Sequence, residues 1–334
     1  MNHDTERRAE HYVVAFLDVM APPVRTAIAA AAPAGFQVRF ADSGEPEAQA
    51  ALAREADFIL AGWQPVTAAM IAAAPGLRMV HKWGIGYDKI DVEAARRHGV
   101  AVAITSGANA GPVAEHAIAL MLAVYRRLPY VDRSTRAGVW LKSDMRSVCY
   151  QLAGKTVGLL GFGNIARMLA HRLRGFDVDI RYSSRRPADA ETERRLNVRQ
   201  VDMDELLACS DILSVHLPLT DQTRGIIGEA AILRMKDGAV IVNTARGGIV
   251  DEAALYRALA DGKLGGAGLD VFDQEPASAS NPLFTLDNVV VTPHGAGAVM
   301  DNVGYVASRA FGNMQRVLQG QPIDPADLVV APPG

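Results

Sequence analysis

Cysteine is scarce in this chain: Cys149 and Cys209 are its only two. Two cysteines without metal-ligand spacing exclude a disulfide scaffold and predict no metal site, and they fit a reducing compartment. An excess of charge is also missing. The formal net charge is -3, which provides no electrostatic footprint for nucleic acid. The arginines at 126–127, 133, 136, 172, 174, 181 and 185–186 are interspersed with apolar and acidic residues, as on solvated helix faces. Long hydrophobic runs are absent. The longest central apolar stretch, residues 117–124, is far shorter than a bilayer span. The first eight residues, Met-Asn-His-Asp-Thr-Glu-Arg-Arg, are polar and are no signal peptide. No internal repeat stands out beyond a general richness in alanine. These absences predict a cytoplasmic protein with neither a nucleic-acid nor a membrane partner.

What is present is an ordinary globular composition, 49% hydrophobic and 21% charged, over 334 residues, enough for two domains. Short apolar runs at 13–19, 36–40, 57–62, 77–83 and 100–105 alternate with helical stretches at 23–32, 47–56, 67–74 and 92–98. That alternation predicts a doubly wound parallel sheet. Residues 106–115 are turn-rich and lead into a long apolar helix over 113–127. A second α/β unit follows, with strands expected at 156–161, 178–182, 211–216, 239–245, 266–271 and 289–293. Its helices are expected at 164–174, 203–209, 229–234 and 251–261. A last helix at 302–319 is expected to cross back to the first unit, which otherwise has one face short of helices. The fold expectation is therefore α/β, with two Rossmann-like doubly wound domains. A discontinuous domain covers 1–106 and 298–334, a dinucleotide domain covers 107–297, and a cleft lies between them.

The second unit opens on Gly161-Phe-Gly163-Asn-Ile-Ala166, directly after an apolar strand and directly before a helical pattern of Ile165, Met168, Leu169 and Leu173. Strand, glycine turn and helix form the context in which a G-x-G-x-x-G/A match reads as a dinucleotide site. Gly161 permits the turn, and Gly163 lets a pyrophosphate approach the backbone. Asn164 and Ile165 begin a helix whose N-terminus favours anions. Three polar groups then stand at predicted strand ends, where open α/β sheets place ligands. Arg246 can bind a carboxylate through two parallel hydrogen bonds, and Gly247 and Gly248 are read as room for a ligand. His294 is a candidate proton donor and acceptor, and Glu275 a candidate for orienting it. Spacing alone leaves that pairing open. Asp270 ends a strand and needs a partner, from the protein or from a cofactor, if buried.

Taken together, several ordered motifs resemble the D-isomer-specific 2-hydroxyacid dehydrogenase family. They are the glycine turn, His216-Leu-Pro-Leu-Thr with Thr223, Asn243-Thr-Ala-Arg-Gly, Leu269-Asp-Val-Phe with Glu275-Pro276, and Thr292-Pro-His294. Trp83-Gly-Ile-Gly-Tyr-Asp88 and Val113-Ala-Glu-His116 resemble its first-domain and hinge motifs. The resemblance runs from about residue 50 to 320. It implies reversible hydride transfer between NAD(P) and C2 of a small 2-keto or 2-hydroxy acid. It gives Arg246 the substrate carboxylate, His294 the proton at the keto oxygen, and Glu275 the orientation of His294. Ile85 and Gly86 bind the carboxylate from the other lobe, with Lys82 nearby. Asp270 binds the nicotinamide carboxamide, His216 to Pro218 line the adenosine side, and Thr244 lines the nicotinamide side. A homodimer formed through the second domain is also implied. The glyoxylate, hydroxypyruvate and phosphoglycerate enzymes are all within the resemblance. The absence of a regulatory domain after residue 320 argues against the long phosphoglycerate enzymes.

The chain departs from the family pattern in two places. Gly295 follows His294 where the family often has a bulky apolar residue. About 20 residues after the second glycine, where an NAD enzyme carries an acid, this chain has Ser184 followed by Arg185 and Arg186. A missing carboxylate and an added arginine favour NADP over NAD. A nucleotide-sensing, corepressor-like scaffold on the same fold is the alternative. The intact Arg246, Glu275 and His294 set argues against it.

Overall fold

The structure is a computed structural model and describes residues 11–332. The polar N-terminal segment 1–8 lies outside the described residues. The chain divides into two compact units, one formed by residues 1–109 and 299–334, the other by 110–298.

The first unit begins with β1 (Tyr12–Phe16), α1 (Pro22–Ala31), β2 (Phe36–Phe40), α2 (Pro46–Arg54), β3 (Phe58–Ala61) and α3 (Ala68–Ala72). It continues with β4 (Met79–Lys82), α4 (Val92–Arg97) and β5 (Ala101–Ala103). The second unit opens with α5 (Ala110–Tyr125), α6 (Leu128–Arg136), β6 (Thr156–Leu160), α7 (Asn164–Leu173), β7 (Asp179–Ser183), α8 (Ala190–Leu196) and β8 (Val198–Gln200). It then runs through α9 (Met203–Cys209), β9 (Ile212–Val215), α10 (Glu229–Arg234), β10 (Ala239–Asn243), α11 (Glu252–Ala260), β11 (Leu264–Leu269) and β12 (Val289–Val291). The chain returns to the first unit with α12 (Val303–Leu318) and β13 (Leu328–Val330).

The first sheet has strand order β13-β5-β4-β3-β1-β2. It is not wholly parallel, because β13 pairs antiparallel with β5. On one face α2, α3 and α4 bury Ala53, Met70, Ile71, Ala94 and Ala95. On the other face α1 contributes Ile28, and α12 contributes Val303, Ala307, Ala310, Phe311 and Met314. A buried polar chain also ties α12 to β4. His81 Nδ1 donates to the Lys82 carbonyl at 2.9 Å, and its Nε2 accepts from Asn313 Nδ2 at 3.1 Å. Asn313 also donates to Asp327, which Arg309 holds through two hydrogen bonds. Burial lowers the His81 pKa to about 4, so the ring is neutral.

The second sheet is parallel, with order β12-β11-β10-β9-β6-β7-β8. Strand order reverses between β6 and β9, which makes that junction the switch point at which doubly wound sheets bind ligands. Helices α5 and α7 cover one face, and α9, α10 and α11 the other. The buried stripe of α7 is Ala166, Leu169, Ala170 and Leu173, while Ile165 and Met168 flank it half-buried. Two alanines on the buried face let the helix lie close to the sheet. The short elements α8, β8 and β13 carry too little apolar periodicity to be read from sequence, and α6 is amphipathic but buries none of its residues. Among the described residues no helix is long and apolar enough to cross a membrane, no cluster of side chains is suited to a metal ion, and both cysteines are free.

Candidate active site

The glycine turn after β6 is built by exclusion. Gly161 has φ of +94°, and a Cβ there would stand 2.7 Å from the His216 carbonyl oxygen. Conformation and space thus both demand glycine. Gly163 is extended, serves as the N-cap of α7, and has open space where a side chain would stand. No side chain caps α7, so the N–H groups of Asn164 and Ile165 face outward from the helix end. Ala166 is fully buried against the sheet.

Around this turn the donor set fits a dinucleotide. Among the described residues, three buried side-chain atoms lack a protein partner, and two of them, His216 Nδ1 and Thr244 Oγ1, follow the neighbouring strands β9 and β10. His216 is half-buried overall, but its Nδ1 is shut from solvent and burial lowers its pKa to about 4. Its Nε2 lies 2.9 Å from the buried Ser214 hydroxyl. Serine then has an acceptor for its proton and leaves Nδ1–H as a donor in need of an acceptor. Pro218 is exposed, and its carbonyl accepts the Thr223 hydroxyl. Beyond β7, Ser183, Ser184, Arg185, Gln200, Val201, Asp202 and Met203 line a cavity of about 560 Å³. Ser184 is pinned by Gln200 through its carbonyl, whereas Arg185 is exposed. The Tyr182 hydroxyl accepts the Ala188 N–H and donates to Glu193, which fixes the far end of the same loop.

Arg246 stands in a turn after β10. The Asn243 side chain closes that turn by accepting the Ala245 N–H at 3.0 Å and donating to the Arg246 carbonyl at 2.9 Å. The two glycines that follow do not make room for a ligand. A Cβ on Gly247 would stand 1.9 Å from the Phe272 carbonyl oxygen, and Gly248 (φ +77°) faces Arg224. They let the β10 and β11 loops touch, which corrects the expectation of ligand space.

That contact helps to place Glu275. Its Oε1 accepts the Phe272 N–H at 3.2 Å, and its Oε2 lies 2.8 Å from His294 Nδ1. Strands β11 and β12 are parallel neighbours, so the loops after them converge. With Nδ1–H given to Glu275, the other ring nitrogen of His294 is left for proton exchange. His294 has φ of +53°, a left-handed conformation for a residue with a side chain. Asp270 is held from within the protein. Its side chain is 1% exposed, and its carboxylate accepts the Thr292 hydroxyl and the N–H groups of Gly295 and Ala296. Sequence reading left its partner open between protein and cofactor, and these partners are protein. His116 and Asn243 stand in the motifs named above but were given no role. A histidine inside an apolar helix and an asparagine ending an all-buried strand were the available signals. Lys82, Ile85 and Gly86 belong to the first unit, at the carboxyl end of β4.

Fold and site together define a doubly wound dinucleotide-binding unit bearing a carboxylate-paired histidine. A family model described as "D-isomer specific 2-hydroxyacid dehydrogenase, NAD binding domain" matches residues 118–296, inside the second unit. The chain is 40% identical over 279 residues to a glyoxylate reductase of Korarchaeum cryptofilum, covering 81% of this chain and 83% of that one. It is 42% identical over 256 residues to a D-3-phosphoglycerate dehydrogenase of Archaeoglobus fulgidus, covering 76% of this chain but only 48% of the relative. This chain thus spans about half the length of that relative. The holo form of D-mandelate dehydrogenase from Rhodotorula graminis superposes with a TM-score of 0.84 at 28% identity, covering 97% of this chain and 99% of that one. The chain belongs to the D-isomer specific 2-hydroxyacid dehydrogenase family and carries that family's NAD-binding domain.

Proposed function

We propose that the protein is an NAD(P)-dependent oxidoreductase that interconverts a small 2-keto acid and the corresponding D-2-hydroxy acid. The observation that carries this reading is the 2.8 Å pairing of His294 Nδ1 with Glu275 in the unit that holds Gly161 and Gly163. The nicotinamide, when bound, supplies or accepts the hydride. Arg246 holds the substrate carboxylate through its planar fork. His294 gives a proton from Nε2 to the keto oxygen during reduction and takes it back during oxidation. Glu275 fixes the tautomer that makes Nε2 the exchanging atom. Lys82, Ile85 and Gly86 contribute to substrate binding from the first unit.

For the cofactor, Gly161, Gly163, Asn164 and Ile165 receive the pyrophosphate. His216, Pro218 and Thr244 line its path, with the two orphaned polar atoms as the strongest support. Ser184 and Arg185 receive the adenosine ribose, and the exposed arginine beside a non-acidic loop favours NADP. Asp270 supports the nicotinamide end by shaping the loop beside it. The protein acts as a homodimer in the cytoplasm. Exposed Leu128, Val139, Tyr150 and Trp140 (77% exposed) in the second unit support self-association, and the two free cysteines support the compartment. A panel of 2-keto acids, including glyoxylate and hydroxypyruvate, followed by NADPH oxidation tests the reading. Turnover of none of them would refute it.

A further inference from the structure

A chain of three hydrogen-bonded side chains reaches from α5 to the loop that carries His294. Asp270, buried at the end of β11, accepts at its carboxylate from the Thr292 hydroxyl and from the N–H groups of Gly295 and Ala296. The Thr292 hydroxyl lies 2.6 Å from Asp270 Oδ1, so its single proton goes there. The same hydroxyl oxygen lies 3.0 Å from His116 Nε2. With the threonine proton committed, His116 must be the donor, and its ring is fixed with hydrogen on Nε2. His116 Nε2 is also 3.7 Å from Asp270 Oδ1, so the three groups form one cluster.

The N–H of Asp270 donates to the Asn243 carbonyl, and its remaining bonds fall on the residues around His294. Its carboxylate takes the N–H of Gly295 at 2.8 Å and of Ala296 at 2.9 Å, and its carbonyl takes the N–H of His294 at 2.7 Å. His294 itself has the left-handed φ of +53°. A residue with a side chain keeps that conformation only where its surroundings over-determine it. Gly295 leaves no side chain to pack against this turn, since nothing lies within 4 Å of where its Cβ would be. The hydrogen bonds to Asp270, beside the buried Ala296, hold the turn.

We propose that His116 and Thr292 are positioning residues for the acid–base histidine. Through Asp270 they hold residues 292–296 in the one shape that aims the His294 ring at Glu275. Proton-transfer geometry is thereby set from α5, by two side chains that act through Asp270. The proposal rests on His294 being the acid–base group. A displacement of about 1 Å at such a group lowers turnover on the order of a hundredfold.

The test uses four variants of the full chain, Thr292→Val, Thr292→Ser, His116→Phe and His116→Gln, and a fifth, His294→Gln, for assignment only. The first readout is the set of imidazole nitrogen NMR signals of the protein without substrate, assigned with His116→Gln and His294→Gln. Wild type should show single tautomers, with hydrogen on Nε2 of His116 and on Nδ1 of His294. Thr292→Val and His116→Phe should convert the His294 signal to an averaged one. They should also lower kcat by roughly a hundredfold, with KM for the keto acid unchanged. Thr292→Ser keeps the hydroxyl and His116→Gln keeps a donor, so both should restore the single tautomer and the turnover. Folded Val or Phe variants that keep the wild-type His294 signal and kcat would overturn the proposal. So would a loss of thermal stability with kcat per folded molecule unchanged. Should Thr292→Val fail to fold, His116→Phe against His116→Gln still decides. The tautomer readout needs no turnover, so failure of the proposed activity is read separately.

Discussion

His294 Nδ1 and Glu275 Oε2 are 2.8 Å apart although the two residues arrive on different loops, one after β12 and one after β11. The glutamate is itself aimed by the Phe272 N–H. Glu275→Gln keeps the shape but replaces the acceptor's charge. We expect kcat to fall by about 10²-fold or more while the cofactor Kd is unchanged, measured by steady-state kinetics and by fluorescence titration of NADPH.

The Thr244 hydroxyl is buried without a protein partner. An unmade hydrogen bond of this kind costs about 1–3 kcal/mol, and a cofactor that satisfies it recovers part of that. Thr244→Val should therefore raise the stability of the free protein in denaturant while weakening cofactor binding several-fold. A variant that loses both stability and affinity would point to packing instead.

At the other end of the proposed cofactor path, Arg185 is exposed beside the cavity that Ser184 lines. Charge-assisted bonds to a phosphate are worth about 1.5–3 kcal/mol, so Arg185→Ala should cut kcat/KM for NADPH on the order of tenfold and leave NADH nearly untouched. Ser184→Asp should move the preference toward NADH. A wild-type enzyme that already prefers NADH would refute the assignment.

Acid should unfold the protein partly through His81. Its folded pKa is lowered to about 4 by burial, whereas an unfolded histidine titrates near 6.5. Between those values the unfolded chain binds more protons, so stability is present above about pH 6.5 and falls as pH drops toward 4. The full loss amounts to roughly 3 kcal/mol. His81→Gln should flatten the decline of Tm between pH 7 and 5, compared with wild type in a calorimetric pH series.

Much of this architecture was legible because the central strands of both sheets are short and largely apolar and are punctuated by turns. The glycine turn and Arg246 could be located from sequence because each follows a buried apolar strand, and His294 because it follows the three valines of β12. The elements that escaped are those stabilised from outside themselves. β13 is a short antiparallel edge strand whose Val330 is buried against the first sheet, and no local pattern marks it. The partners of Asp270 were illegible for a related reason. They come from the loop after β12 and, through Thr292, from α5, and strand adjacency is a property of the sheet order. Gly247 was misread because sequence cannot distinguish a glycine that admits a ligand from one that admits a neighbouring backbone.

The account stands most directly on the role of His294, and one measurement tests it: the kcat of His294→Ala in 2-keto acid reduction, with cofactor binding measured alongside. The account predicts a fall of about 10²- to 10⁴-fold in kcat, the usual contribution of a positioned acid–base group, with cofactor affinity retained. Turnover within error of wild type would contradict it.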